Sequence, residues 1–207
     1  MWYCWKKRAR SAKQAEEGWS AMHETLKLIK RRRSIRQYKA EQVPEAELKE
    51  IMSAALLAPN ARSMQAWHFS VIQQPYLLDR MVHVIRENLI VSGIEFLVER
   101  ASTPGYNTFY GAPTVIMISA DENSAFAQID CGAAAENIAL AATSMGLGSC
   151  VMTSPAFLFM SEEGNALREA IGIPDGYKYV CSVTIGYADG EHPETPDRNA
   201  DVINYVR

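Results

Sequence analysis

The densest chemistry in the chain lies between Lys30 and Tyr38, which reads KRRRSIRQY. Four guanidinium groups, Arg31, Arg32, Arg33 and Arg36, surround one hydroxyl, Ser34, and the run passes into Ile35 and Tyr38. Arginine presents a planar fork of donors that matches a phosphate bidentately, and a serine adds a further hydrogen bond to the same group. Charged hydrogen bonds of this kind contribute roughly 1.5 to 3 kcal/mol each. The run therefore suits an anionic ligand. It suits equally the end of a helix spaced by Met22, Leu26 and Ile29, where cations offset the helix dipole.

Two further stretches could hold a ligand. Ala58 to Ala66 (APNARSMQA) is short, polar and wedged between apolar segments, a setting in which a rigid frame fixes backbone and amide groups. Asn60, Ser63 and Gln65 are its candidates, and ordinary turn chemistry is the competing explanation. Ser102 to Tyr110 (STPGYNTFY) carries Tyr106, Phe109 and Tyr110, which either wall a planar ligand or pack as satellites of the core. His68 has no second histidine, cysteine or carboxylate at metal spacing, so it reads as a packed residue. No Ser/His/Asp, zinc or phosphate-loop signature is present.

The elements that must position these residues follow from periodicity. Pro44, Glu45 and Glu47 suit a first helical turn, and Leu48, Ile51, Met52, Ala55 and Leu56 continue it until Pro59. Trp67 to Ile72 reads as a buried strand, and Tyr76 to Arg100 as one long or two shorter helices joined at Gly93. Thr114 to Ala120 is a second strand. Ser124 to Met145 is an alanine-rich helix ended by Gly146 and Gly148, with small residues on several faces that suit close packing. A strand over Ser149 to Thr153, a short helix at Leu167 to Ile171 and a last strand over Tyr179 to Tyr187 complete the ordered pattern. The tail after Gly190 has apolar residues but no period, so it needs a surface to lie on, such as a second subunit.

With 207 residues and 48 % hydrophobic content, the chain can bury a core of its own. A net charge of −3 and a pI near 5.8 argue against nucleic acid as the main partner and make the basic run a local site. Cys4, Cys131, Cys150 and Cys181 show no pairing rhythm and read as reduced thiols of a cytoplasmic protein. No run is long enough to span a membrane. Residues 1–21, with Trp2, Tyr3, Trp5 and Trp19 among basic residues, have no clear period and read as a poorly ordered extension, or as a membrane-surface helix. The ordered domain is expected over residues 22–207.

The order of signals, RRRSIRQY, a helix, APNARSMQAWHF, GAPTVIMISA, an alanine-rich helix into GLGSC, then IGIPDGY and VTIGY, resembles the FMN-dependent nitroreductase superfamily over Met22 to Arg198. The resemblance implies an α+β fold with a mixed central sheet flanked by helices, in an intertwined homodimer whose C-terminal segment crosses to the other subunit. It implies FMN at each subunit boundary, with Arg32, Arg33 and Ser34 around the phosphate and ribityl chain and Arg36 at the pyrimidine edge. Pro59, Asn60, Ala61, Ser63 and Gln65 are implied to come from the other subunit, Met152 and Thr153 to pass the ring near N5, and Arg198 to bring a last cation to the phosphate. Ala66, Ser63 and Pro196 depart from residues common in the family, where proline, asparagine and a second basic residue are respectively found.

The implied activity is hydride transfer from NADH or NADPH through flavin N5 to nitroaromatic, quinone or similar planar acceptors, with no catalytic side chain. Two alternatives stand beside it. One is another flavin enzyme on the same scaffold, a reductive dehalogenase or a flavin-consuming enzyme. The other is a non-enzymatic module whose basic run grips a different phosphorylated ligand.

Overall fold

The structure is a computed structural model and describes residues 24–207. Contacts divide the chain into a unit up to Arg32 and a larger unit, Arg33–Arg207. The described part of the first unit is helix α1 (residues 24–31), which carries Leu26 and Ile29 and ends as the Arg32 N–H donates to the Leu28 carbonyl at 2.9 Å. The extension inferred for residues 1–21 lies outside the described residues.

The second unit is built on four strands: β1 (Trp67–Ile72), β2 (Thr114–Asp121), β3 (Gly148–Met152) and β4 (Tyr177–Gly186). Their order is β1-β2-β4-β3 and every neighbouring pair is antiparallel. The expected mixed character is confined to one parallel bridge, Ser34 with Ser149. β2 is buried along almost its whole length because both of its faces are covered. Ile116, Ile118 and Ala120 face a core shared with α2 (Glu45–Leu56) and α5 (Ala127–Ser144). Val115 and Met117 face a second core with α3 (Pro75–Ile90), Phe109 and Leu158. Alternation with period 2 lets one strand serve both.

β4 departs from that alternation. Ile118 pairs with Cys181 but Ser119 pairs with Tyr179, so Val180 is an extra residue opposite a regular β2. The bulge lets Tyr177 and Tyr179 pack in the α3 core while Cys181, Val183 and Ile185 pack in the α5 core, although all five are odd-numbered.

On α5, Ala127, Cys131, Ala134, Ala135, Ile138 and Ala142 form the buried stripe. Small side chains there let the helix lie close to the sheet and to α2, and Asn137 Nδ2 donates to the Ala54 carbonyl at 2.9 Å to tie the two helices. The segment expected as one or two helices is two, α3 and α4 (Glu95–Ser102), with Gly93 at φ 72° in the join. After β3 the chain forms a 3-10 segment, Ser154–Met160, then α6 (Glu162–Ala166) and α7 (Arg168–Ile171). Only α7 was legible in the sequence. Gly164 is required there, since a Cβ would stand 1.6 Å from the Leu158 carbonyl oxygen.

Candidate active site

Residues 33–38 of the basic run are laid across one end of the sheet. The Ile35 N–H donates to the Ser149 carbonyl at 2.9 Å, which seats Ser34 beside β3, and Tyr38 bridges to Ala188. Tyr38 is buried; its hydroxyl donates to the Ile35 carbonyl at 2.9 Å and lies 2.8 Å from Thr184 Oγ1. Burial pushes that phenol well above its ordinary pKa, so it stays neutral and acts as a strut. Two glycines clear the path. A Cβ on Gly148 would lie 2.9 Å from Ile35 Cγ1, and one on Gly186 2.8 Å from Pro113 Cδ and 3.0 Å from Tyr38 Cδ1.

Because Ile35 and Tyr38 point into the protein, Ser34 is left half-buried and Arg36 exposed beside the β3 end. Arg33 is half-buried, and Arg36 Nη1 reaches the Ser34 carbonyl at 3.5 Å while its guanidinium lies 6.0 Å from the Tyr110 ring. The structure thus brings Ser34 to β3, the strand that ends at Met152 with Thr153 directly after it, and sets Arg36 against the Tyr110 ring. Arg32 belongs to the first unit and is described only there. Arg198 is exposed on the tail and makes no ion pair among the described residues.

The loop from Pro59 to Gln65 is strained. Arg62, Ser63 and Gln65 all have φ between 50° and 54° and none is glycine, a conformation that costs about 1–3 kcal/mol per residue. Two anchors hold it. Asn60 Oδ1 accepts from the Gln65 N–H at 3.0 Å, and both carboxylate oxygens of Asp130 face the Ala61 N–H at 3.1 and 3.2 Å. Asp130 is 6 % exposed. It was missed from sequence, although an acid within the buried stripe of an alanine-rich helix signals a donor that must come from elsewhere.

Below the end of β3 runs an apolar groove of about 550 Å³. Val151, Thr153, Tyr179, Val180 and Cys181 line it with Gly132 and Gln128 of α5. Val180 and Cys181 both face the α5 side of it because of the bulge. The Tyr179 hydroxyl donates to the Met152 carbonyl at 3.2 Å and accepts from Ser182 Oγ at 3.1 Å, while burial raises its pKa far beyond the usual phenol range. His68 packs edge-on against Tyr177, with ring centroids 6.2 Å apart.

A model of the Nitroreductase family matches residues 29–187, which covers the basic run, the strained loop and the whole sheet. The chain belongs to the nitroreductase family. Among the relatives of this nitroreductase-family chain is an Archaeoglobus fulgidus protein assigned as an NADH dehydrogenase/NAD(P)H nitroreductase, 32 % identical over 186 residues that cover 88 % of this chain and 98 % of that one. A nitroreductase from Bacteroides fragilis solved with bound FMN superposes with a TM-score of 0.83 at 31 % identity, covering 89 % and 99 % of the two chains. One from Desulfitobacterium hafniense, also with bound FMN, gives 0.79 at 34 %, covering 89 % and 98 %. These likenesses span nearly all of the nitroreductase-family domain.

Proposed function

We propose that this protein is an FMN-dependent oxidoreductase that passes hydride from NADH or NADPH to nitroaromatic, quinone or similar planar acceptors. The observation that carries the reading is the seating of Ser34 at the glycine-cleared end of the sheet, beside the strand that leads to Met152 and Thr153. The FMN-bound relatives at 31 and 34 % identity support the cofactor.

The donor set fits a flavin mononucleotide. Arg33 and Ser34, with their chain neighbour Arg32 and with Arg198, supply cations and a hydroxyl for a phosphate dianion. Arg36 would hold the pyrimidine edge of the ring, where a fixed guanidinium would stabilise negative charge. Met152 and Thr153 would flank the ring near its reactive nitrogen. Pro59, Asn60, Ala61, Ser63 and Gln65 close the site from a second subunit, and the anchored strain of that loop keeps their backbone groups in place. When bound, FMN would supply reversible hydride chemistry at the site. We assign no side chain as acid, base or nucleophile.

We also propose a homodimer with exchange of the C-terminal segment. The tail supports it, because Val202, Ile203, Tyr205 and Val206 are each more than half exposed within this one chain. Among the described residues no helix is long and apolar enough to cross a membrane. The buried thiols of Cys131 and Cys181 fit the reducing cytoplasm, where we place the protein.

An absorption spectrum of the purified protein, before and after anaerobic addition of NADH or NADPH, tests the function. A flavin spectrum that bleaches and returns with a nitroarene or quinone is expected. Colourless protein after reconstitution with FMN would refute the reading. A flavin that bleaches without turnover of either acceptor class would move the assignment to a dehalogenase or flavin-consuming enzyme.

A further inference from the structure

A second groove, of about 540 Å³, opens beside Arg36 and is lined by Gln37, Arg100, Tyr106, Asn107 and Tyr110. Its charge is one-sided. It has two arginines and no acidic residue on its walls, in a chain whose net charge is −3. Neither Arg36 nor Arg100 forms an ion pair among the described residues, although Glu99 adjoins Arg100 in α4.

The arrangement is held rather than loose. The Arg100 guanidinium lies 5.8 Å from the Tyr110 ring and 5.9 Å from the Tyr106 ring, and its Nη2 donates to the Tyr110 hydroxyl at 2.7 Å. Tyr106 is itself tied to Thr108 Oγ1 at 3.3 Å. Tyr110 has φ 59°, a left-handed conformation that is rare for an aromatic residue, followed by Gly111 at φ 73°. That turn places the Tyr110 ring between the chain segments bearing Arg36 and Arg100. One guanidinium donor is used on the tyrosine and the others are available to an oxyanion, while the ring faces suit a flat molecule.

We propose that this groove binds the anionic end of the planar molecule that exchanges hydride with the flavin, an oxyanion such as a carboxylate or phosphate, with Arg100 as its principal ligand. The proposal rests on the flavin reading, because Arg36 links the groove to the pyrimidine edge. The oxyanion comes either from a carboxylated acceptor or from the 2′-phosphate of NADPH, and both present the same chemistry to Arg100.

The test uses FMN-loaded protein with 4-nitrobenzoate against the neutral 4-nitrobenzamide, and NADPH against NADH. If the acceptor supplies the oxyanion, the KM of the nitrobenzoate is lower than that of the amide by roughly ten-fold or more, the size of one charged hydrogen bond. Arg100→Gln abolishes that preference, and Arg100→Lys restores part of it. If the donor supplies it, the same pattern appears between NADPH and NADH. Calorimetry with benzoate and benzamide reads the groove independently of turnover, with or without flavin, so a failure to bind FMN is told apart from a failure of this site. Melting temperature controls for the folding of both variants. Equal binding of charged and neutral members of both pairs by the wild type, or a preference unchanged in folded Arg100→Gln, overturns the proposal.

Discussion

Asp130 offers the sharpest perturbation of the proposed site without substituting a residue proposed to bind the cofactor. Its carboxylate shares the single Ala61 N–H between two oxygens at 3.1 and 3.2 Å, one bifurcated, charge-assisted bond. Such a bond contributes about 1.5–3 kcal/mol. The loop it holds contains three non-glycine residues with positive φ, each costing about 1–3 kcal/mol. The anchor is therefore comparable to the strain of one or two of those residues, so its removal should release the loop. In Asp130→Ala, amide exchange at Ala61, Ser63 and Gln65 should accelerate by roughly 10- to 150-fold, the kinetic equivalent of that bond energy. FMN affinity measured by fluorescence titration should fall in the same direction, and Asp130→Asn, which keeps an oxygen acceptor, should lie between. Global stability is a poor judge, because the substitution also deletes a buried carboxylate whose desolvation is costly. Unchanged exchange at Ala61 together with unchanged flavin affinity would show that the loop is held by something else.

Other perturbations separate the parts of the site. Gly148→Ala places a methyl 2.9–3.0 Å from three Ile35 side-chain atoms, so overpacking of about 1–3 kcal/mol is expected. Differential calorimetry should record a lower melting temperature, and flavin content should drop as Ser34 and Arg36 shift with Ile35; unaltered values for both would remove Gly148 from the seating of the run. Arg32→Ala combined with Arg33→Ala should strip most of the FMN on gel filtration while circular dichroism stays native, and full occupancy in the double variant would refute their phosphate role. Burial raises the thiol pKa of Cys131 from 9.0 to about 11 and that of Cys181 to about 12. These thiols keep their protons in the folded state after the unfolded chain has lost them, so stability should hold below pH 9 and decline through pH 9–12. Urea midpoints that stay level across that window would contradict the assignment.

Much of this fold was legible because its strongest signals are local. Trp67–Ile72 and Thr114–Asp121 announce themselves as short apolar runs bounded by turn residues, and Pro44 and Pro59 frame α2. The run from Lys30 to Tyr38 reads either as an anion site or as the end of a helix, and the second reading is met in part, since α1 stops at residue 31. What stayed hidden depends on partners distant in sequence. Nothing near Asp130 shows that its acceptor oxygens are met by Ala61, 69 residues away. The 3-10 segment at Ser154–Met160 lacks helical spacing and forms because Pro155 and Leu158 are buried by the fold. The mixed sheet implied by resemblance gives way to antiparallel strands with one parallel bridge, because the run at Ser34 pairs through a single position rather than as a strand. Arg100 and Tyr110 read as a helix end and a loop aromatic, and only folding sets them against Arg36.

The extra residue at Val180 has a consequence for how the apolar groove can change over time. Inserting a residue into a strand ordinarily inverts every side chain beyond the insertion, which would throw one whole core into water. Here Val180 and Cys181 both fall on the α5 side, and the inversion is absorbed at once, leaving Tyr179 and Val183 each in its own core. The width of this wall is thus adjustable through chain length at a single position, independently of the packing that keeps the protein folded. Lineages or designers seeking a differently shaped groove can lengthen or shorten β4 there and leave the rest of the architecture in phase.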